Sequence, residues 1–510
     1  MNEDNRWVKL SKIIPWDEIE IKYAKKFKKK GNPAKNVRIA LGSLIIQQTL
    51  NCSDRELVNQ VSENPYLQFF LGLKEFQEKA PFSASVLVDF RKRFSSKFLS
   101  EINELIIESG SKDNDSDKTD YDSNDTSGNN GTIIMDATCV PSDISYPQDL
   151  NLLNEARENL EKIIDNLNKD FKGKKPRTYR KVARNEFLKI SKARKKPTKK
   201  LRKVIRKQLG YIHRDLGYIN NMSEGGTLLT DKQKEKIDII INVYNQQKEM
   251  FDNKKHSVKD RIVSLTQPYV RPIVRGKTSA KTEFGAKVEI SVINGFSRVE
   301  FLSWDAYNEC DSLETIVERF KERNGHYPER VLADKIYRNR DNLNYCKSKG
   351  IRLSGPNLGR PRKDNVYDKK IEYIDLCDRN EVEGKFGEGK RKYGLNRILT
   401  KLKETSECVI NIAFIVSNLN KRLRSLIKVM LNFILKLIFD ENYNYKKYRV
   451  CWANPNYYAF LISLTIIFST VSCKEANSSF ESLEVSIGAW IITSTLEDLI
   501  FPPPLASKRL

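Results

Sequence analysis

The sequence has few of the residues from which most metal and redox sites are built. Its 510 residues include three histidines that lie far apart in the chain, namely His213, His256 and His326. The eight cysteines form no C-x-x-C pair and are Cys52, Cys139, Cys310, Cys346, Cys377, Cys408, Cys451 and Cys473. These absences argue against a zinc finger and against a catalytic metal site built on histidine. Reduced thiols, as in cytosol, are the simplest interpretation of scattered cysteines.

Long apolar runs are also scarce. The start, MNEDNRWVKLSKIIPW, lacks the apolar run of a signal peptide. Residues 457–473 are mostly apolar, but the segment is shorter than the roughly 20 residues of a membrane span. We interpret it as part of a C-terminal tail of uncertain structure at residues 441–510 and expect no membrane partner, although a membrane-associated basic protein remains a weaker alternative.

Basic residues exceed acidic ones by a wide margin. Lysine and arginine number 90 and aspartate and glutamate 66, which gives a net charge of +24. Such an excess predicts a polyanionic partner, nucleic acid before an anionic membrane, with a merely basic soluble protein as the alternative. The excess peaks in residues 170–215, where apolar residues recur among the cations as in amphipathic helices. We predict a basic helical insertion at about residues 165–260 that lies along DNA; a solvated basic face is the alternative.

The chain divides by composition. Residues 1–110 have helical spacing and predict an all-helical N-terminal DNA-binding domain, although any small helical bundle fits the same pattern. Within it, residues 53–56 form a capping box that opens a helix. Residues 111–130 are rich in Asp, Ser and Asn, which predicts a disordered acidic linker. Residues 131–440 then form a further predicted domain, ending in a long apolar helix or helix pair at 404–440.

Strands and helices alternate in this domain, which predicts an α/β fold. A short strand from Thr132 is predicted to end at Asp136, and another to end at Asp334. Between them, a hairpin is predicted at Asn294-Gly295, followed by a helix that ends at Gly325. A carboxylate at the end of a buried strand costs free energy unless something compensates it, and a metal ion would do so.

The stretch RNEVEGKFGEGK, residues 379–390, is the most informative of the chain. On a helix its Arg379, Glu383, Phe386 and Lys390 fall on one narrow stripe. A metal-binding carboxylate flanked by phosphate-binding cations would have this pattern, and so would an ordinary charged helix face. The three glycines of the stretch are poor helix formers and fit close approach of a backbone to nucleic acid.

Three acids therefore stand out: Asp136, Asp334 and Glu383. Their hard oxygen ligands suit Mg²⁺ or Mn²⁺, and two such ions can activate a water or hydroxyl nucleophile on a phosphodiester. Spacing in the sequence leaves open whether the three converge. The neighbouring acids are expected to be solvated or structural, and they are Asp143, Asp375, Asp378, Glu381 and Glu388.

Several segments together carry a resemblance, among them MDATCVPSDISYPQD, ADKIYRNR and VEGKFGEGKRKYGLNRI. Over roughly residues 5–105 and 131–435 the chain resembles the DDE transposases of bacterial insertion sequences, of the family-five group related to family four. The resemblance implies a ribonuclease-H-like core in which Asp136, Asp334 and Glu383 are the acidic triad. It also implies metal-dependent DNA cleavage and strand transfer at the ends of an insertion sequence.

The implied partners are double-stranded DNA, as terminal inverted repeats and target, and a second copy of the chain in a homodimer. No small-molecule cofactor is implied, and the implied location is the nucleoid in bacterial cytoplasm. The alternative is a catalytically inactive, transposase-derived DNA-binding protein.

The family's signature around the last acid is Tyr, two residues, Arg, three residues, Glu, six residues, Lys. This chain has Arg379, Glu383 and Lys390 at that spacing, with Leu376 at the tyrosine position. The resemblance implies that Arg379 and Lys390 contact DNA. Four further cations are candidate DNA contacts, and salt bridges are the alternative for the last two: Lys385, Arg391, Lys335 and Arg338.

Overall fold

The computed structural model describes residues 1–25, 35–111, 128–274, 282–355 and 366–438. Most of the predicted linker and all of the predicted tail after residue 440 lie outside these ranges, so both remain expectations. Contacts divide the chain into two units, Met1–Lys428 and Val429–Leu510. The fold described below is that of the first unit.

All regular elements in the described N-terminal part of the chain are helices. Its helices are α1 Arg6–Ile13, α2 Trp16–Ala24, α3 Val37–Leu50, α4 Asp54–Glu63, α5 Pro65–Phe70, α6 Val86–Arg93 and α7 Ser96–Ser111. The predicted start of α4 is confirmed: Ser53 is its N-cap, and its hydroxyl accepts from the backbone N–H of Glu56 at 3.2 Å.

One mixed six-stranded sheet lies at the centre of the described chain. Its strands are β1 Thr132–Pro141, β2 Arg271–Val274, β3 Thr282–Ile293, β4 Phe296–Ser303, β5 Arg330–Leu332 and β6 Arg352–Leu353. The order is β2-β3-β1-β5-β6, and β4 also pairs with β3. β1 is antiparallel to β3 and parallel to β5, which is parallel to β6. The predicted α/β class is therefore confirmed, with β1 between the antiparallel and parallel parts.

Local turn chemistry sets two of the predicted boundaries. The β3–β4 hairpin turns at Asn294 and Gly295, whose φ angles of 51° and 74° are both left-handed, as a two-residue hairpin turn requires. Helix α12, Leu313–Asn324, ends at Gly325, which has a φ of 79°. Its N–H donates to the carbonyl of Lys321 at 2.7 Å, so the helix ends where predicted.

Two predicted strand ends are wrong. β1 continues five residues past Asp136 to Pro141, because its backbone stays paired with β3 as far as Gly285. β5 ends at Leu332, and Asp334 instead caps the 3-10 helix Lys335–Tyr337. A carboxylate in mid-strand is tolerated at Asp136 because its side chain is only partly buried.

The two faces of the sheet contribute to different cores. On one face, Leu41 and Phe90 of the N-terminal helices belong to the same buried cluster as Val288 and Leu332 of the sheet. Asn103 of α7 also donates to the carbonyl of Ser297 in β4 at 3.0 Å. The N-terminal helices and the sheet thus share a core.

The other face is covered by α12 and by α13, Arg340–Ser348. Ile316 and Phe320 of α12 and Cys346 of α13 are buried there with Met135 of β1. The chain then continues, beyond the sheet, into α14 Val366–Lys392 and α15 Lys403–Ile438.

The basic region between β1 and β2 has a core of its own. Its helices are α8 Asp149–Leu167, α9 Arg180–Ser191, α10 Thr198–Glu224 and α11 Asp231–Asp252. Leu153 and Leu160 of α8 are buried against Ile212 of α10 and Ile240 of α11. Helix α8 therefore packs with the basic helices. In the described residues, no helix has the length and apolar character needed to cross a membrane.

Candidate active site

Neighbouring parallel strands place two of the three acids side by side. The last residue pair between β1 and β5 joins Ile134 to Leu332. Asp136 and Asp334 each follow this pair by two residues, so they lie at the same height along two neighbouring segments of the chain. The sheet thereby supplies the first two carboxylates from segments almost 200 residues apart in sequence.

Helix α14 packs against β1 and supplies the third acid. The side chains of Val382 and Phe386 are buried in the core shared with the sheet. One turn beyond Phe386, Lys390 Nζ donates to Thr138 Oγ1 at 2.9 Å. Thr138 follows Asp136 by two residues and so points to the same side of β1. The predicted stripe on α14 therefore faces the sheet beside Asp136.

Arg379 joins the acids from the two elements. Its Nη1 donates to Asp334 Oδ1 at 3.1 Å, and its Nη2 lies 3.6 Å from Glu383 Oε1, four residues along α14. Asp334 Oδ1 also accepts from the backbone N–H of Lys335 at 2.7 Å. One guanidinium therefore spans the carboxylates of Asp334 and Glu383.

Asp136 is the most enclosed acid of the three, and its surroundings shift its acidity. The pKa of Asp136 is raised to about 6, mainly by burial and to a smaller extent by the nearby carboxylates of Glu309 and Asp334. The backbone N–H of Ala137, which donates to its Oδ1 at 2.8 Å, and the charge of Arg379 lower the pKa. The charges of both Asp334 and Arg379 act on Asp136, so Asp136 lies near this pair.

The donor chemistry of this group fits a hard divalent cation, because all three candidate ligands are carboxylates. The placement of the side chains does not yet form a metal site. Within the described ranges, no group of three or more His, Cys, Asp or Glu side chains could hold a metal ion as placed. Arg379 lies where Asp334 and Glu383 would have to approach each other.

Comparison with known proteins gives two matches to transposase families. A model described as a transposase DDE domain matches residues 331–420, a range that contains Asp334, Arg379, Glu383 and Lys390. The resemblance to DDE transposases is therefore confirmed over this range. A second model, described as a transposase domain (DUF772), matches residues 1–93, which are the helices α1–α6. Asp136 lies outside both matched ranges.

One curated relative carries little functional information. It is described as uncharacterized protein ORF8 in the nfe locus of Rhizobium meliloti and is 28% identical over 160 residues. The match covers 31% of this chain and 73% of that protein. No solved structure matches the chain with significance.

The predicted DNA-contacting cations of this chain divide into exposed and engaged residues. Lys335 and Arg391 are exposed, and the described contact of the Arg391 side chain is a 3.2 Å hydrogen bond to the carbonyl of Gly387. Arg338 donates from Nη1 to the carbonyls of Leu353 and Ser354 at 2.8 and 2.7 Å, and burial lowers its pKa. It therefore holds the end of β6.

Lys385 lies apart from the three acids. Two residues beyond Glu383, it points to a different side of α14. Burial lowers the pKa of Lys385, Glu388 and Glu381 raise it, and Arg424 of α15 lowers it. The structure thus places Lys385 in a charged cluster between α14 and α15.

The other acids near the signature have structural partners. Asp375 is buried and accepts from Arg330 at 3.2 Å and from Arg352 at 2.8 Å. Glu388 accepts from the hydroxyl of Ser417 at 3.0 Å and pairs with Arg424 of α15. The expectation that such acids are structural is confirmed for these two.

Two residues beside the site are not singled out by the sequence. Glu309, in the 3-10 helix Glu309–Ser312, pairs with Lys287 at 2.9 Å and raises the pKa of Asp136. No local pattern marks it, because its neighbours come from β1 and β3. Thr138 holds Lys390, and the alternation of β1 beyond Asp136 would have identified it if the strand had been predicted at full length.

Proposed function

We propose that this protein is a transposase that cleaves DNA at the ends of an insertion sequence and transfers the freed strand to target DNA, with Mg²⁺ or Mn²⁺ bound by Asp136, Asp334 and Glu383. The observation that carries the proposal is the contact of Arg379 with both Asp334, just after β5, and Glu383 of α14, beside Asp136 of β1. The acids come from three separate elements, so their proximity is a property of the fold rather than of one charged helix.

The sheet supports a ribonuclease-H-like core for this reaction. In the order β4-β3-β1-β5-β6, β3 is antiparallel to both β4 and β1, and β5 and β6 run parallel to β1. The proposed ligands then lie on the central strand, after the adjacent parallel strand, and on a helix across them. This arrangement is the one that the family resemblance implies.

A bound divalent cation would activate the attacking water or hydroxyl and stabilise charge on the phosphate. The chain itself would bind and orient the DNA. Lys335, next to Asp334, and Arg391, near the end of α14, are exposed and would hold phosphates. Lys390, through its hydrogen bond to Thr138, fixes α14 so that Glu383 stays beside β1. We propose Lys390 as a positioning residue in addition to any DNA contact.

The test is the Asp334→Asn variant, assayed for Mg²⁺-dependent nicking of duplex DNA that carries the element's terminal repeat. Asparagine also caps helices well, so the turn Lys335–Tyr337 is preserved while the charge is lost. Nicking should fall by at least about 10²-fold, and DNA affinity should stay near that of the wild type.

The matched control is Asp341→Asn, an exposed acid in the next helix, which should cleave like the wild type. Unchanged nicking by Asp334→Asn would refute the proposed triad. If the wild type binds terminal-repeat DNA but never nicks it in Mg²⁺ or Mn²⁺, the chain is instead a non-catalytic DNA-binding descendant of a transposase.

A further inference from the structure

Arg379 is more enclosed than the two acids that it contacts. Its side chain is 22% exposed, whereas those of Asp334 and Glu383 are 53% and 58% exposed. A long basic side chain beside solvent-facing acids usually remains solvated, because a surface ion pair contributes little free energy. Here the guanidinium is held between two acids that come from different elements, which restricts its position.

The same oxygens would serve a divalent cation. Mg²⁺ binds carboxylate oxygens at about 2.0–2.1 Å and requires a compact arrangement of ligands. The guanidinium is larger, always charged, and contacts Asp334 and Glu383 through two different nitrogens. Asp334 Oδ1 already accepts from Arg379 and from the N–H of Lys335. A cation bound to both acids would therefore have to displace Arg379.

We infer that Arg379 is an internal counter-ion that competes with the divalent cation for Asp334 and Glu383, and that a DNA phosphate releases it. The inference rests on the proposed function, because it takes these two acids as metal ligands. A phosphate accepts two parallel hydrogen bonds from a guanidinium, so it can replace both carboxylates as the partner of Arg379. Once Arg379 has moved, the acids attract the metal ion more strongly.

Metal binding and DNA binding are then coupled through one side chain. By linkage, if DNA raises the affinity for the metal ion by some factor, the metal ion raises the affinity for DNA by the same factor. The consequence for the enzyme is protective: the metal site is completed mainly when a phosphate lies beside it.

The experiment measures Mn²⁺ binding to the full-length chain from the electron paramagnetic resonance signal of free Mn²⁺, with and without duplex DNA. The variants are Arg379→Gln and, as matched control, Lys370→Gln, an exposed cation of the same helix. Without DNA, Arg379→Gln should bind Mn²⁺ about tenfold more tightly than the wild type, and Lys370→Gln should match the wild type. DNA should tighten Mn²⁺ binding in the wild type and in Lys370→Gln, and have no effect in Arg379→Gln.

Arg379→Lys provides a second measurement that retains the charge. A lysine can hold one acid at a time, so its Mn²⁺ affinity should lie between those of the wild type and Arg379→Gln. Equal thermal midpoints would establish that the variants are folded. Should Arg379→Gln lose its fold, the Mn²⁺ affinity of Arg379→Lys and the effect of DNA on the wild type test whether Arg379 competes with the metal ion.

The Asp334→Asn variant distinguishes failure of the proposed metal ligands from failure of the competition by Arg379. If it leaves Mn²⁺ binding unchanged in every background, the acids are not ligands and the proposed function fails. If it weakens Mn²⁺ binding while Arg379→Gln and Arg379→Lys bind Mn²⁺ like the wild type, the ligands stand and the competition by Arg379 is refuted.

Discussion

Asp215 of α10 is a buried acid with incomplete compensation. Its side chain is fully buried, and Arg214 donates to Oδ1 at 3.1 and 2.7 Å. Among the described residues, Oδ2 has no hydrogen-bond partner. Burial raises the pKa of Asp215 to about 6, the pairing with Arg214 lowers it, and nearby Glu161 raises it. The folded protein therefore holds the proton of Asp215 more tightly than the unfolded chain does.

This shift predicts a pH dependence of stability. A raised pKa in the folded state stabilises the fold fully below the unfolded pKa near 4, and this contribution is lost as the pH rises through about 6. The Asp215→Asn variant cannot ionise. Its stability relative to the wild type should increase between pH 4.5 and 7.5 by on the order of 2 kcal/mol, or a few degrees in thermal midpoint.

Differential scanning calorimetry at the two pH values would measure this. Asp238→Asn, an exposed acid of α11, is the control and should show no such change. A difference between Asp215→Asn and the wild type that is independent of pH would mean that Asp215 is ionised in the folded protein throughout, and the prediction would be wrong.

The contact partners of some single residues could not be predicted from the sequence. Glu300 in β4 is a buried acid, held by Arg319 and Arg323 of α12 at 3.2 and 2.8 Å. Arg338 could be recognised from the sequence as a cation after Asp334, but its carbonyl partners belong to β6. A single sequence cannot supply such partners, because they meet through the folding of separate segments.

At the scale of elements, features with a local cause could be predicted. The hairpin at Asn294-Gly295 and the end of α12 at Gly325 follow from glycine and asparagine in left-handed conformations. The stripe of α14 follows from helical spacing. β1 was predicted too short because a carboxylate in mid-strand gains its environment from α14, about 240 residues later. The position of Asp136 relative to Asp334 likewise depends on the β1–β5 register, which spacing does not reveal.

The glycines of α14 have different local surroundings. A Cβ on Gly389 would lie 2.8 Å from Leu395 Cδ1, so close packing accounts for this glycine. A Cβ on Gly384 would have no heavy atom within 4 Å, and Gly384 is exposed beside Glu383. Glycine costs a helix interior about 0.5–1 kcal/mol relative to alanine. Packing therefore gives no reason for Gly384, whereas close approach of DNA would.

We predict that Gly384→Ala stabilises the protein by about 0.5–1 kcal/mol and weakens DNA binding. Thermal unfolding and fluorescence anisotropy with duplex DNA would measure the two effects. Gly389→Ala is the counterpart and should lower the thermal midpoint, because its methyl group meets Leu395. If Gly384→Ala binds DNA as tightly as the wild type, the glycine has no role in DNA approach.

At the scale of the whole molecule, the positive charge is unevenly distributed. Between α9 and α10, and in the first turn of α10, six cations are exposed: Lys192, Arg194, Lys195, Lys196, Lys199 and Lys200. We call residues 192–200 the basic tip. Among the described contacts, the only side-chain partner of a cation in this tip is Gln148, 3.5 Å from Lys196 Nζ. The tip is therefore a stronger candidate for phosphate contact than cations that are paired with acids.

This distribution predicts a specific salt dependence. Each phosphate neutralised by the protein contributes about 0.9 to the slope of log affinity against log salt concentration. Replacing Lys195, Lys196, Lys199 and Lys200 by glutamine should reduce that slope by up to about 3 or 4. Fluorescence anisotropy with a duplex of about 30 base pairs, over a series of salt concentrations, would give the slope.

The control removes the same net charge from surfaces outside the insertion, by replacing the exposed Lys74, Lys79, Lys347 and Lys401 with glutamine. Both variants have four fewer positive charges, so a purely long-range effect of net charge would change their slopes equally. A larger change in the basic-tip variant would place phosphates on the insertion. Equal changes would mean that the insertion contributes only to the overall field, and that DNA lies elsewhere on the molecule.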